Sequence, residues 1–283
     1  MTRTPQKNSS LNRPLPHDFQ KPVGGVFKSA IEPTVVILDT RAIYIGPGLN
    51  LSPHRNAVAT VAIGLTSQFE LRILTGDDNN ASLTRVAVIP PQTDHHLQSH
   101  GDMMFVYLDA FGDDWSNLGA YDQDWLEFGV QIRELLTEAP KDIATSIDLI
   151  TARFQPFGLS PRVRERRLHQ TIDEINRNPQ DFNSVKDAAA LAKLSTSRFQ
   201  HVFKAEVGLP FRQYRLWRRM AQVVRHLIAG ASLTEAAIES GFSSSAHLSS
   251  SFRKMFGIKP SDLMMIGTNF YTIEDEGCRD SSS

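Results

Sequence analysis

Cysteine is almost absent from this chain. Among 283 residues there is one, Cys278, set in a polar C-terminal stretch, so no internal disulfide can form. A reducing cytoplasm is the expected home. Long apolar runs are missing too. No stretch of 18 apolar residues occurs, so no membrane-spanning helix is expected. The opening MTRTPQKNSSLNRPLPHDFQ lacks the apolar centre of a secretory signal and reads as a flexible arm, residues 1–20. Net charge is nearly absent as well, at −1. That small figure hides a division. Residues 160–266 hold 17 Lys and Arg against 9 Asp and Glu, whereas residues 1–159 hold 12 against 18. One segment suits a polyanion and the other does not.

What the chain does contain is a repeat. Ser184-Val185-Lys186-Asp187-Ala188-Ala189 returns as Ser232-Leu233-Thr234-Glu235-Ala236-Ala237, an offset of 48. Phe203-Lys204 and Gly208 return as Phe252-Arg253 and Gly257, an offset of 49. The second copy therefore has one extra residue in its internal turn. In each copy a serine is placed to cap a short helix, with an acid three residues on. Small alanines then let a second helix cross closely. That second helix has an apolar stripe, Phe199, Val202 and Phe203 or Leu248, Phe252, Met255 and Phe256, and a polar opposite face. Two short helices, a tight turn and an outward polar second helix describe a helix-turn-helix. Its second helix is the one that enters a DNA major groove.

The double pattern resembles the DNA-binding domain of the AraC/XylS family of bacterial transcription regulators. The residues that carry it are Ser195, Phe199, Phe203-Lys204 and Gly208, then Gly241-Phe242, Leu248, Phe252-Arg253, Gly257 and Pro260-Ser261. The resemblance implies seven helices over 161–266, with helix-turn-helix units at 184–206 and 232–256 joined by one long helix. It also implies double-stranded DNA as a partner. Relatives often touch RNA polymerase as activators. The joining helix, Pro210–Ala229, bears Arg212, Arg215, Arg218, Arg219 and Arg225, and its length sets the recognition helices about one DNA turn apart. Base-edge candidates are Ser197, Arg198, Gln200 and His201 in the first unit and Ser245, His247, Ser249 and Ser250 in the second. Phosphate candidates are Lys204, Arg253, Arg212 and Arg215. Some of the serines have an alternative role as helix caps.

The first half has a β texture. Strands are expected near 35–38, 42–45, 57–63, 69–74, 84–89 and 103–108, separated by turn signals such as Gly46-Pro47-Gly48 and Pro90-Pro91. Regular short strands imply an antiparallel sandwich or barrel. The segment around His54 and the run from Pro90-Pro91-x-x-x-His95-His96 into Tyr107-Leu108-Asp109 resemble the cupin-like sensor half of the same family over about 90 residues, within a domain expected at 21–157 that also holds a helical pair at 122–137 and 142–154. The pair then stands for homodimer helices, or alternatively packs onto the sandwich. The fold class expected is α+β, with a hinge at 155–161 and a disordered tail at 267–283. His54, His95 and His96 are candidates to line a small-molecule effector pocket. The alternative is a cupin metalloenzyme or metal sensor fused to a DNA-binding module. The family's metal signature pairs two histidines around one residue, and here the segment reads His54-Arg55-Asn56. No metal, cofactor or enzymatic activity is therefore expected.

Overall fold

Alternation with a period of two decides how the first half folds. In β9 (Asp102–Tyr107), Met103 and Phe105 face one way while Met104 and Val106 face the other, and all four are buried. Strands β2 (Arg41–Pro47) and β4 (Thr60–Gly64), which flank β9, follow the same rule. A strand buried on both faces must be covered twice, and this one is. One face meets a second sheet and the other meets two helices. The computed structural model describes residues 29–38, 40–74, 81–108, 122–138, 143–154 and 166–273.

The larger sheet has six strands in the order β10-β1-β2-β9-β4-β7, where β1 is Thr34–Leu38, β7 is Val86–Ile89 and β10 is Asn269–Ile273. The smaller has the order β3-β8-β5-β6, built from His54–Arg55, Asp94–Gln98, Phe69–Ile73 and Ala81–Thr84. Phe69, Leu71 and Leu97 of the small sheet share a core with Ala62, Met103 and Phe105 of the large one. On the outer face, Trp125, Phe128, Ile132 and Leu136 of α1 (Asp122–Glu138) cover Ile43, Val61 and Ile63, with Ile150 of α2 (Ile143–Phe154) beside them. Of the two roles expected for this helical pair, these contacts are those of packing onto the sandwich.

The second half is helical, as expected. Among the described residues it holds seven helices: α3 (Arg166–Arg177), α4 (Val185–Leu191), α5 (Thr196–Val207), α6 (Phe211–Ile228), α7 (Leu233–Glu239), α8 (Ser245–Phe256) and α9 (Pro260–Met265). The core of the first unit is aromatic. Phe199 and Phe203 lie 5.4 Å apart, and Phe203 packs 5.7 Å from Tyr214 of α6.

Three expectations need correction. The strand expected at 57–63 begins at Thr60. The polar segments β3, β6 and β8 are strands that alternation did not reveal. Residues 269–273, expected to be disordered, form β10 and run parallel to β1, with Asn269 opposite Thr34 and Ile273 opposite Leu38. The large sheet is thus mixed, and its last strand comes from beyond the helical half. The arm at 1–20, the hinge at 155–161 and residues 274–283 of the tail lie outside the described residues.

Candidate nucleic-acid interface

Both helix-turn-helix units are built by the same local rules. Ser184 Oγ accepts the Lys186 amide at 3.2 Å, while Asp187 takes the Ser184 amide at 2.7 Å. Ser232 and Glu235 repeat this box, with the Glu235 amide on Ser232 Oγ at 3.2 Å and the Ser232 amide on Glu235 at 2.8 Å. Hydrogen bonds from Ser232 hold the Glu235 carboxyl below its usual range. The turns then diverge by one residue. After Ala192, Lys193 turns left-handed at φ 54°, Leu194 is half-buried and Ser195 caps α5. After Ser240, Gly241 turns at φ 81°, Phe242 is buried, Ser243 is inserted and Ser244 caps α8. Ser243 is the extra residue implied by the change of offset. Its hydroxyl lies 3.0 Å from His247 Nδ1. Gly208 and Gly257 end the two second helices at φ 77° and 76°.

On α5 the base-edge candidates stand together. Ser197, Arg198, Gln200 and His201 are all exposed, as is Lys204 one turn on. Gln200, Lys204, Arg212 and Arg215 line one shallow groove with Ser184 at the start of α4. Basic groups beside a helix N-terminus suit a phosphate. Arg215 has a second commitment, because it donates to the Phe182 carbonyl and lies over the Phe211 ring. Burial, with Arg212 close by, lowers its pKa. Arg212 stays exposed.

On α8, His247 and Ser250 are exposed, and Ser245 and Ser249 are partly so. The capping serine is Ser244, one residue before the first candidate. Arg253 is not presented to solvent alone. Its Nε and Nη2 donate to Ser52 Oγ of the β-domain at 3.2 and 3.1 Å.

The arginines of α6 divide by role, which sequence could not show. Arg218 and Arg219 are buried. Arg219 donates to the carbonyls of Gly241 at 2.9 Å, Pro179 at 3.3 Å and Gln180 at 3.4 Å, and to Asn183 Oδ1 at 3.3 Å. It braces the turn of the second unit against the segment before the first. Burial and the nearby Arg215 push its pKa down to about 10, so it remains a cation at neutral pH.

The candidate pocket histidines meet, but at a different surface. His54 and His95 are buried across β3 and β8, with ring centroids 4.2 Å apart. Their Nδ1 atoms donate to the carbonyls of Ser52 and Thr93, each at 2.9 Å. Burial pushes the pKa of His54 down to about 3, helped by His95, and burial also lowers that of His95. His96 is partly buried on the same strand. Among the described residues no group of three or more His, Cys, Asp or Glu is placed to hold a metal ion.

An apolar cavity lies elsewhere, between the halves, with a volume of about 70 Å³. Val35, Ile37, Tyr44 and Phe105 line it from the sheet, and Trp217, Val224 and Phe256 from the helices. No signal in the sequence joins these segments, because the cavity exists only once the halves dock. Trp217 Nε1 donates to the Thr40 carbonyl at 3.1 Å, and its ring lies 5.8 Å from that of Tyr107.

The fold and these surfaces define a two-part protein, a β-sandwich joined to a double helix-turn-helix. Comparison with known proteins agrees. A helix-turn-helix domain model matches residues 188–265. The chain is 33% identical over 88 residues to the probable transcriptional regulator LumQ of Photobacterium leiognathi, which is 30% of this chain and 35% of that protein. The match thus spans about a third of that relative. In three dimensions the chain is similar to apo ToxT K231A from Vibrio cholerae, with a TM-score of 0.50 over 80% of this chain and 97% of that one, at 10% identity. The likeness to ToxT is one of fold. The C-terminal half holds a helix-turn-helix domain, and its repeat is borne out as two units built alike. Among the described residues no helix is long and apolar enough to cross a membrane.

Proposed function

We propose that this protein is a sequence-specific DNA-binding transcription regulator that responds to a small molecule. The observation that carries the reading is the pair of matched units, each presenting a polar recognition helix on a basic domain. Helix α6 has 18 residues, roughly 27 Å at 1.5 Å each, which suits adjacent major grooves on one face of the duplex. Gln200 reads a base edge, since its amide can bond adenine N6 and N7 together. Lys204 and Arg212 anchor phosphates. The effector is apolar over most of its surface and occupies the cavity between the halves, so its binding bears on how the DNA-binding domain is held. A cytoplasmic homodimer that contacts RNA polymerase, without enzymatic activity of its own, completes the reading by resemblance.

The test is a salt-titrated binding assay on fragments from upstream of the protein's own gene. Gln200→Ala is expected to relax sequence preference, by roughly 1–3 kcal/mol at one position. Lys204→Ala is expected to weaken all fragments alike and lower the salt slope by about one. Binding by the unaltered chain with neither preference nor steep salt dependence overturns the reading.

A further inference from the structure

The contact between Arg253 and Ser52 lies on the face of α8 that would meet DNA. Ser249 and Ser250 stand four and three residues before Arg253, so all three share one side of the helix. The loop that carries Ser52 therefore covers the C-terminal end of the reading stripe. It is fixed there by the Ser52 amide, which donates to the Gly257 carbonyl at 2.8 Å. Leu51, Ser52 and His54 pack so closely on Gly257 that a Cβ at that position would sit 2.6 Å from the Ser52 carbonyl.

A second element holds the same arrangement. The chain leaves α9, turns at Gly267 and enters the large sheet as β10, with the Asn269 amide on the Pro33 carbonyl at 2.8 Å. Phe270 packs against Ile37 of β1 and against Ala221 and Val224 of α6. The second helix-turn-helix unit is thus tied to the β-domain from both sides, by the Ser52 loop and by its own C-terminal strand. β10 is short and lies at the sheet edge, and none of its five residues is fully buried. Such a strand is among the easiest parts of a sheet to peel away.

Given the DNA-binding reading above, we propose that β10 is a latch that keeps the second recognition helix closed against the β-domain, and that its release frees Arg253 and α8 for DNA. The closed and open states differ in which group Arg253 serves, Ser52 Oγ or a phosphate. DNA that engages α8 and a β-domain that engages Arg253 compete for one surface, so each weakens the other.

The experiment locks the latch in the full chain. Val36→Cys with Tyr271→Cys, in a Cys278→Ser background, places one cysteine pair at facing positions of β1 and β10. Affinity for an upstream DNA fragment is read by fluorescence anisotropy before and after reduction, on one preparation. The oxidised form is expected to bind about tenfold more weakly than the reduced form. Ser52→Ala, which removes the acceptor from Arg253, is expected to bind about two- to fivefold more tightly than the unaltered chain. Equal affinity in the oxidised and reduced forms overturns the latch. No gain from Ser52→Ala overturns the part assigned to Arg253. If the reduced form binds with no sequence preference and no steep salt dependence, the DNA-binding reading fails and the latch falls with it. That outcome is distinct from preferential binding that oxidation leaves unchanged.

Discussion

At the scale of single residues, two glycines do the same local work in different surroundings. Gly208 and Gly257 both end a second helix with positive φ, and a side chain at either position meets the left-handed penalty of about 1–2 kcal/mol. Nothing lies within 4 Å of the Cβ position at Gly208, while Gly257 is pressed against Ser52 and His54. Gly208→Ala is expected to cost only the backbone term. Gly257→Ala is expected to cost that term and also to part the halves, which a shift in Trp217 fluorescence would register. Equal effects of the two substitutions on Trp217 would show that the contact at Gly257 is not what holds the halves together. The glycines themselves were legible from their spacing after Phe203 and Phe252. Their unequal burial was not, because the crowding at Gly257 comes from residues some 200 positions earlier in the chain.

At the scale of elements, α6 is the member that makes two short units into one domain. In sequence Arg212 and Arg215 are its phosphate candidates, and Arg218, Arg219 and Arg225 stand on the same helix without an assigned role. Their partners divide them. Arg219 faces inward and satisfies carbonyls on both sides of the helix, Gly241 in the second unit and Pro179 and Gln180 before the first. Arg219→Met is expected to destabilise the protein by about 2–3 kcal/mol, since it leaves buried carbonyls without a donor. Denaturant unfolding gives that figure, and a change under about 0.5 kcal/mol, typical of a surface site, would show that Arg219 is not a brace. Gly241 belongs to the same device. A Cβ there would come 2.9 Å from the Arg219 guanidinium, while the equivalent turn of the first unit tolerates Lys193. The repeat shows which positions correspond, and the contacts of α6 show why their residues differ.

At the scale of the whole molecule, the junction of the halves carries a pH dependence. His54 and His95 are buried as neutral rings beside the end of α8. Because burial depresses the pKa of His54 from 6.5 to about 3, the unfolded chain binds more protons than the folded one between those values. Stability from this group is therefore full above about pH 6.5 and is lost as the pH falls toward 3. The slope is up to about 1.4 kcal/mol per pH unit. His54→Gln keeps a donor for the Ser52 carbonyl and is expected to flatten that slope in unfolding measured from pH 4 to 7. An unchanged slope would place the dependence in other groups.

What the sequence determined by itself was everything written locally. Capping serines with acids three residues on, apolar stripes of helical period, the one extra residue in the second unit's turn and the α+β order of elements all depend on neighbours within a few positions. The exposed face of α5 with Gln200 and Lys204 follows from the same periodicity. The tertiary structure alone decided what depends on distant segments meeting. It turned a polar tail into β10, because an unpaired edge of β1 supplies backbone partners that composition does not predict. It placed the apolar cavity between the halves rather than at His54 and His95. It gave Arg253 to Ser52 and Arg219 to the domain interior, since a guanidinium takes whichever oxygen the fold brings within reach.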